Sequence, residues 1–405
     1  MGNKGNLVVG QSGGPTAVIN SSLVGVIHEA MQHDAIGAIY GMVHGVSGVL
    51  HEEFIDLRQE SAETLERLRY TPASALGTVR YKLHSADYDR LLDVLMAYDV
   101  RYFLYIGGND SMDTAHKVHL AAQAKGYELY ALGVPKTVDN DLAYTDHCPG
   151  YGSAARFVAT AVRDTGYDTE AMGESSPVKF IEVMGRNAGW LTAAAALARV
   201  EPNDPPQLLY VPECGVSLEQ VVNDVRYWYE TIGHCVVAVS EGMRNEQGEE
   251  IGSGFGQVEL DAFGHARKGG VVETLEAIVK AELGVRVRHD KPGYLQRSCA
   301  ALASPVDRAE AYLVGQAAVR EALAGVSDRM ITLERQPGPT YAVTTGLAPL
   351  AEVANAEHLL PREYINAAGN GVTEAFLEYA RPLIGEPLAP YARLAKHAVP
   401  KRLAE

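Results

Sequence analysis

The sequence predicts an open α/β fold built on a mostly parallel sheet. Apolar runs of strand length recur along the chain, many end at a glycine or proline turn, and amphipathic helical stretches alternate with them. Leu7-Val8-Val9 leads into a Gly-rich loop at 10–16, and Ala17–Met31 then repeats apolar residues at helical spacing through Val18, Leu23, Val26, Ile27 and Ala30. Tyr102–Ile106 ends at Gly107-Gly108 and is followed by a helical stretch to about Lys125. Leu129–Val134 stops at Pro135. Phe180–Met184 stops at Gly185, and an Ala-rich helix is expected from Ala188 to Arg199. Leu208–Val211 and Cys235–Ser240 read as further buried strands, 202–206 as a rigid surface connection, and 245–256 as a polar, mobile loop.

At 405 residues the chain is long enough for two or three domains, and 47% hydrophobic with 21% charged residues is an ordinary globular balance. Lys plus Arg number 35 against 51 Asp plus Glu, a formal charge of −16. Such a surface repels phosphate backbones and anionic lipid, so neither nucleic acid nor membrane is expected as partner. Cys148, Cys214, Cys235 and Cys299 lie far apart, which points to reduced thiols in a cytoplasmic protein. The longest small-apolar stretch, 188–198, is too short to span a bilayer. His28/His33 and His116/His119 lack the spacing or the third ligand of a zinc site, so surface or capping roles are expected.

Ligands of open α/β sheets collect beyond the carboxyl ends of strands, which singles out four loops. Gly10-Gln11-Ser12-Gly13-Gly14-Pro15-Thr16 offers backbone N–H groups at a helix start, suited to an anion, but it is neither a dinucleotide nor a P-loop fingerprint. A plain tight turn explains it equally well. Gly107-Gly108-Asn109-Asp110-Ser111 adds metal-capable oxygens, with Asp110 equally readable as a helix cap. Lys136-Thr137-Val138-Asp139-Asn140-Asp141 puts two carboxylates beside a lysine where a strand exits. That set suits phosphoryl transfer, with one Asp taking the proton of an attacking hydroxyl, the other supporting a metal, and Lys neutralising charge. A solvated turn is the competing explanation. Met184-Gly185-Arg186 and Tyr294-Leu295-Gln296-Arg297, with Arg288 upstream, supply guanidinium groups for phosphate or sugar.

Taken together these loops resemble the 6-phosphofructokinase family, in order along nearly the whole chain. Ser12-Gly13-Gly14, Leu76-Gly77-Thr78-Val79-Arg80, the 107–111 loop, Thr137-x-Asp139-Asn140-Asp141 and Met184-Gly185-Arg186 match family motifs. So do Ser240-Glu241-Gly242, Tyr294-x-Gln296-Arg297 and Ser304-Pro305-Val306-Asp307-Arg308. ATP-using members carry glycine where this chain has Asp110 and Lys136, and pyrophosphate-using members carry Asp and Lys. A carboxylate at 110 would overlap and repel the α-phosphate of ATP, while Lys136 can stabilise a bare pyrophosphate leaving group.

The resemblance implies two Rossmann-like open sheets with helices on both faces and an active site in the cleft between them. It implies a pyrophosphate domain at 1–150 and a fructose 6-phosphate domain at 151–330, the chain crossing back near 298–330. Residues 331–405 would complete the second domain and add a helical tail. Asp139 is then the base for the sugar 1-hydroxyl, with Lys136, Asp110, Thr137, Asp141 and Arg186 completing the catalytic set. Gly13, Arg80 and Lys82 would contact the donor. Val138, Met184, Gly185, Arg186, Glu241, Tyr294, Leu295, Gln296 and Arg297 would line the acceptor pocket, and Arg288 would reach a neighbouring subunit of a homodimer or homotetramer. Mg2+ is the implied cofactor. The chain departs from the family at Asn109, where an aspartate usually meets the metal, and at Pro177, seven residues before Met184, where an arginine is usual. The implied reaction converts fructose 6-phosphate and pyrophosphate into fructose 1,6-bisphosphate and phosphate, reversibly. An ATP-dependent enzyme, or a catalytically silent sugar-phosphate-binding subunit, are the alternatives.

Overall fold

The computed structural model describes residues 4–79, 81, 83–252, 259–260, 266–267 and 270–403. In chain order its strands are β1 (Gly5–Gln11), β2 (Ile36–Met42), β3 (Phe54–Asp56), β4 (Val100–Gly107), β5 (Tyr130–Pro135), β6 (Val178–Val183) and β7 (Leu208–Tyr210). There follow β8 (Cys235–Ser240), β9 (Glu259–Leu260), β10 (Ala266–Arg267), β11 (Val287–Asp290), β12 (Arg329–Arg335) and β13 (Val343–Pro349). A seven-stranded sheet runs β13-β12-β5-β4-β1-β2-β3, and a four-stranded sheet runs β11-β6-β8-β7. The smaller sheet is parallel throughout, and the larger is parallel except for its edge strands β3 and β13. Parallel strands are covered on both faces, which is why Tyr102–Ile106 of β4 and Cys235–Val239 of β8 read as unbroken apolar runs rather than alternating ones. The α/β fold with two helix-flanked sheets is thus the one the sequence predicts.

The helix Ile19–Ala30, with Leu23, Val26 and Ile27 buried, shares a core with Val314, Ala318 and Val319 of the helix Pro305–Leu323. The two helices touch through glycine: a Cβ on Gly25 would lie 2.2 Å from the Tyr312 carbonyl oxygen, and one on Gly315 2.1 Å from that of Ser22. The long helix Tyr151–Met172 carries the other core, packing with Trp190, the Ala-rich segment behind it, and Phe376, Tyr379 and Leu383.

Two stretches depart from what was expected, 331–405 and 188–199. Residues 331–405 do not simply complete the second unit. β12 pairs with β5 (Arg329↔Leu132, Met330↔Gly133) and β13 with β12, so both extend the first sheet and cover the edge that β5 would otherwise expose. Within 331–405, the stretch Glu374–Ile384 packs on the second core. No helical tail forms over 386–403; Pro387, Pro390 and Pro400 lack the N–H a helix needs. The helix expected over 188–199 is a short α-helix, Trp190–Ala194, tightening into a 3-10 turn at Ala195–Ala198. In the expected loop at 245–256, residues 245–252 form a closed turn, the Asn245 side-chain oxygen accepting from Gln247 N at 3.0 Å and Glu249 N at 2.9 Å; the remainder lies outside the described residues.

Candidate active site

β5, β4 and β1 are neighbours, so their carboxyl-end loops converge. The loops wall a cavity of about 630 Å³, lined by Ser12, Gly13, Gly14, Gly108, Asn109, Asp110, Lys136, Thr137 and Asp141 among others. Gly13 has φ +75°, and a Cβ there would sit 3.3 Å from Lys136 Nζ, so glycine both permits the turn and leaves the ammonium room. Thr78 Oγ1 donates to Gly13 O at 2.7 Å and Lys136 Nζ to Gly14 O at 2.8 Å, pinning the loop from two sides. Asp110 is exposed in the first turn of the helix Asn109–Ala124, whose cap is Gly108 and not Asp110. The carboxylate therefore belongs to the helix's first turn, the end whose dipole favours negative charge.

Lys136 is only 4% exposed. Burial lowers its pKa to about 8, against the pull of the Asp141 and Asp139 carboxylates. Asp139 is pushed the other way, to about 7, by burial first and then by Asp141 and Glu241. Burial also raises Asp141, opposed by a hydrogen bond from Thr137 and aided by Glu357. Asp139 N donates to Thr137 Oγ1 at 3.1 Å, while Asp139 Oδ1 is buried with no hydrogen-bond partner among the described residues. A half-neutral carboxyl with an open oxygen beside a buried lysine is what proton abstraction near neutrality requires.

The second sheet brings its loops to the same cleft. Gln296, buried, accepts at Oε1 from Met184 N at 3.1 Å and so ties the 294–297 segment to the end of β6. Ser240 Oγ donates to Gly185 O at 2.7 Å, and Gly185 N bonds the Glu241 carboxylate, whose pKa burial raises. Arg297 spans the cleft: a Cβ on Gly14 would lie 2.6 Å from its Nη1, and its charge acts on both Lys136 and Asp139. Its guanidinium lies 4.1 Å over the Tyr294 ring. Arg186, Tyr294 and Leu295 are exposed at the rim, and Val138 is buried in the second core. Arg288 is exposed on the edge strand β11, away from the lining of the donor cavity. Lys179, in register beside it, is held by Asp290 at 3.1 Å and Asp168 at 3.7 Å. Arg80 and Lys82 lie outside the described residues.

Sequence reasoning missed the segment 356–358. Glu357 lines the donor cavity and accepts from Asn187 Nδ2 at 3.0 Å, Ala356 O accepts from Asn109 Nδ2 at 3.4 Å, and His358 N donates to Asp141 O at 2.8 Å. Trp190 Nε1 donates to His358 O at 2.8 Å. One short stretch thus ties donor loop, aspartate loop and acceptor loop together. Nothing in its composition announces this, since the ties are mostly made through backbone atoms.

Among the described residues no three His, Cys, Asp or Glu side chains form a metal cage. Asn109 Oδ1 is buried without a hydrogen-bond partner among those residues, a hard oxygen at the cavity wall with Asp141 in the same lining. That set fits a magnesium ion that keeps most of its ligands from phosphate and water. No helix among the described residues is long and apolar enough to cross a membrane. The four cysteines are free, and His28, His33, His116 and His119 bond Tyr312, Glu29, Asp328 and Ser327 respectively.

The family profile described as Phosphofructokinase matches residues 6–322. The chain belongs to the phosphofructokinase family. Within it, the chain is 46% identical to a pyrophosphate--fructose 6-phosphate 1-phosphotransferase of Xanthomonas campestris pv. campestris, over 98% of each chain. A protein of the same description from Halomonas elongata is 44% identical, over 99% of this chain and 98% of its own. A solved pyrophosphate-dependent phosphofructokinase from Nitrosospira multiformis superposes with a TM-score of 0.86 at 39% identity, covering 98% of both chains. The phosphofructokinase resemblance carried by the loops therefore holds over the full length.

Proposed function

We propose that this phosphofructokinase transfers a phosphoryl group from pyrophosphate to the 1-hydroxyl of fructose 6-phosphate, giving fructose 1,6-bisphosphate and phosphate. The observation that carries this reading is the pairing of Asp110 and Lys136 in one cavity with the Gly13-Gly14 loop. Asp110 already occupies the helix N-terminus where a longer polyphosphate chain would run, and the Lys136 ammonium faces the space left for a short one. The names of the relatives support the same donor.

In the step, Asp139 takes the 1-hydroxyl proton as the oxygen attacks phosphorus, and the bridging P–O bond of pyrophosphate breaks with its electrons going to the leaving phosphate. Lys136 stabilises the charge that builds on that phosphate, and Thr137 and Asp141 orient the aspartate loop. Arg297, next to both Gly14 and Asp139, spans donor and acceptor. Met184, Gly185, Arg186, Glu241 and the 294–297 segment receive the sugar phosphate, and Gly13 with Arg80 and Lys82 the donor. Asn109 Oδ1 together with pyrophosphate oxygens would hold magnesium, which would supply charge neutralisation when bound. The bond broken and the bond formed differ little in energy, so the enzyme runs in both directions and serves cytoplasmic glycolysis and gluconeogenesis. The donor unit comprises 1–150 together with β12 and β13, and the acceptor unit most of 151–330. Arg288, free of the donor cavity in one chain, serves the 6-phosphate site of a second copy in a homodimer or homotetramer.

A coupled assay with fructose 6-phosphate and Mg2+, comparing pyrophosphate, ATP and ADP, tests this. Turnover is expected with pyrophosphate and little or none with the nucleotides. Faster turnover with ATP would overturn the donor reading.

A further inference from the structure

Asn140 stands between the two aspartates of the candidate catalytic loop. It adopts a left-handed conformation, φ 57°, and is 0% exposed. Both polar atoms of its side chain are engaged: Nδ2 donates to the Tyr379 hydroxyl at 2.9 Å, and Oδ1 accepts from Cys148 N at 2.9 Å. The Tyr379 hydroxyl in turn donates to Asp146 O at 2.8 Å. Tyr379 belongs to the helix Glu374–Ala380, far along the chain, and its ring packs with Trp190 and Tyr364.

Beneath this relay lies a buried charge cluster. His147 bonds Asp146 at 2.7 Å on one ring nitrogen and Glu310 at 2.7 Å on the other. Burial opposes charge on His147, yet the two carboxylates raise its pKa to about 9, so it is an imidazolium at neutral pH. Arg335 donates to Asp146 Oδ2 at 3.2 and 3.1 Å and to Tyr379 O at 3.0 Å, and Tyr341 donates to Glu310 at 2.6 Å. Two carboxylates and two cations balance, and together they fix the backbone of 146–148 that holds Asn140 and Tyr379.

No side chain among the described residues grips Asp139 Oδ1. Its direction is therefore inherited from the backbone, which Thr137 Oγ1 holds at Asp139 N on one side and the Asn140 side chain holds on the other. We propose that Tyr379, acting through Asn140, is a positioning residue that aims the Asp139 carboxylate at the sugar 1-hydroxyl. This rests on the reading of Asp139 as the base given above.

Tyr379→Phe deletes the hydroxyl and keeps the ring. A misaimed base costs turnover, not binding, so kcat is expected to fall roughly ten- to hundredfold with KM for both substrates unchanged. Asn140→Gly keeps the left-handed backbone while deleting the amide, and is expected to give the same split; it also serves if Tyr379→Phe folds poorly. Circular dichroism and melting curves accompany both, and rates are read well below the melting temperature. A lower melting temperature with wild-type kcat, or a rise in KM at constant kcat, would overturn the proposal. Each variant is compared with wild type on whichever donor wild type uses, so a preference for ATP would refute the donor and leave the positioning test readable.

Discussion

Asp139→Asn should make the protein more stable and nearly inactive. The carboxyl sits at about 7 in the folded chain against 3.8 when unperturbed. Between those values the native state holds a proton that the unfolded chain releases, so wild type loses stability as pH rises from 3.8 towards 7, and the loss is complete above it. At ~1.4 kcal/mol per pH unit the full cost is about 4 kcal/mol at pH 8 and under about 2 kcal/mol at pH 5. Asparagine has nearly the same shape and carries no charge at any pH, so the variant escapes this cost. Urea unfolding of both proteins at pH 5 and pH 8, without ligands, should therefore show a stability gap that widens by up to roughly 3 kcal/mol over that interval. The same preparations should lose roughly 10²–10⁴ in kcat, the usual scale for a general base. Acceptor binding should barely change, since Asp139 acts on the transition state. A gap that is constant with pH would refute the account of the carboxyl, and near-normal turnover would refute its role. The burial that makes Asp139 a competent base at neutral pH is the same burial that destabilises the fold.

Asp110→Gly vacates the helix N-terminus, so it should lower KM for ATP or create ATP turnover where none existed, with a drop in pyrophosphate activity; unchanged kinetics with both donors would contradict the steric and electrostatic argument. Lys136→Gly should cut kcat with pyrophosphate by roughly 10²–10³, more than it weakens binding, and should combine non-additively with Asp110→Gly because the two share one cavity. Arg288→Ala should raise KM for fructose 6-phosphate roughly 10–100-fold, the scale of one charged hydrogen bond, and far more than KM for pyrophosphate. A fully active monomer by light scattering would count against a shared site.

The cleft was legible because its loops announce themselves: glycines at strand ends, a lysine and two aspartates in six residues, arginines at strand–helix junctions. Gly13, Asp110, Lys136, Thr137 and Asp141 do line one cavity. Local pattern could not reveal what arrives from far along the chain. His358 joins the site through backbone hydrogen bonds that any residue type could make, and Glu357 brings a side chain to it from more than 200 residues beyond the aspartate loop. Tyr379 looks like one more core aromatic until Asn140 is found at its hydroxyl. β12, with its run Met330-Ile331-Thr332-Leu333, was not read as a strand, and which sheet it joins depends on an edge laid down by residues 130–135. Exposure also escaped the pattern: Tyr294 and Leu295 belong to a motif whose neighbour Gln296 turns inward while they turn out.

The return of β12 and β13 to the first sheet has a consequence during synthesis on the ribosome. β5 is complete once Pro135 has been added, but its partner β12 follows roughly 200 residues later. At ~5–20 residues per second, the β5 edge waits about 10–40 s with its N–H and C=O groups unpaired. Throughout that interval the nascent chain presents an apolar strand next to β4, open to any other strand in reach. Slower elongation, or a stall between residues 136 and 328, lengthens the exposure without altering the finished enzyme. A chain released before residue 329 would carry that edge permanently, leaving it open to pairing with another strand.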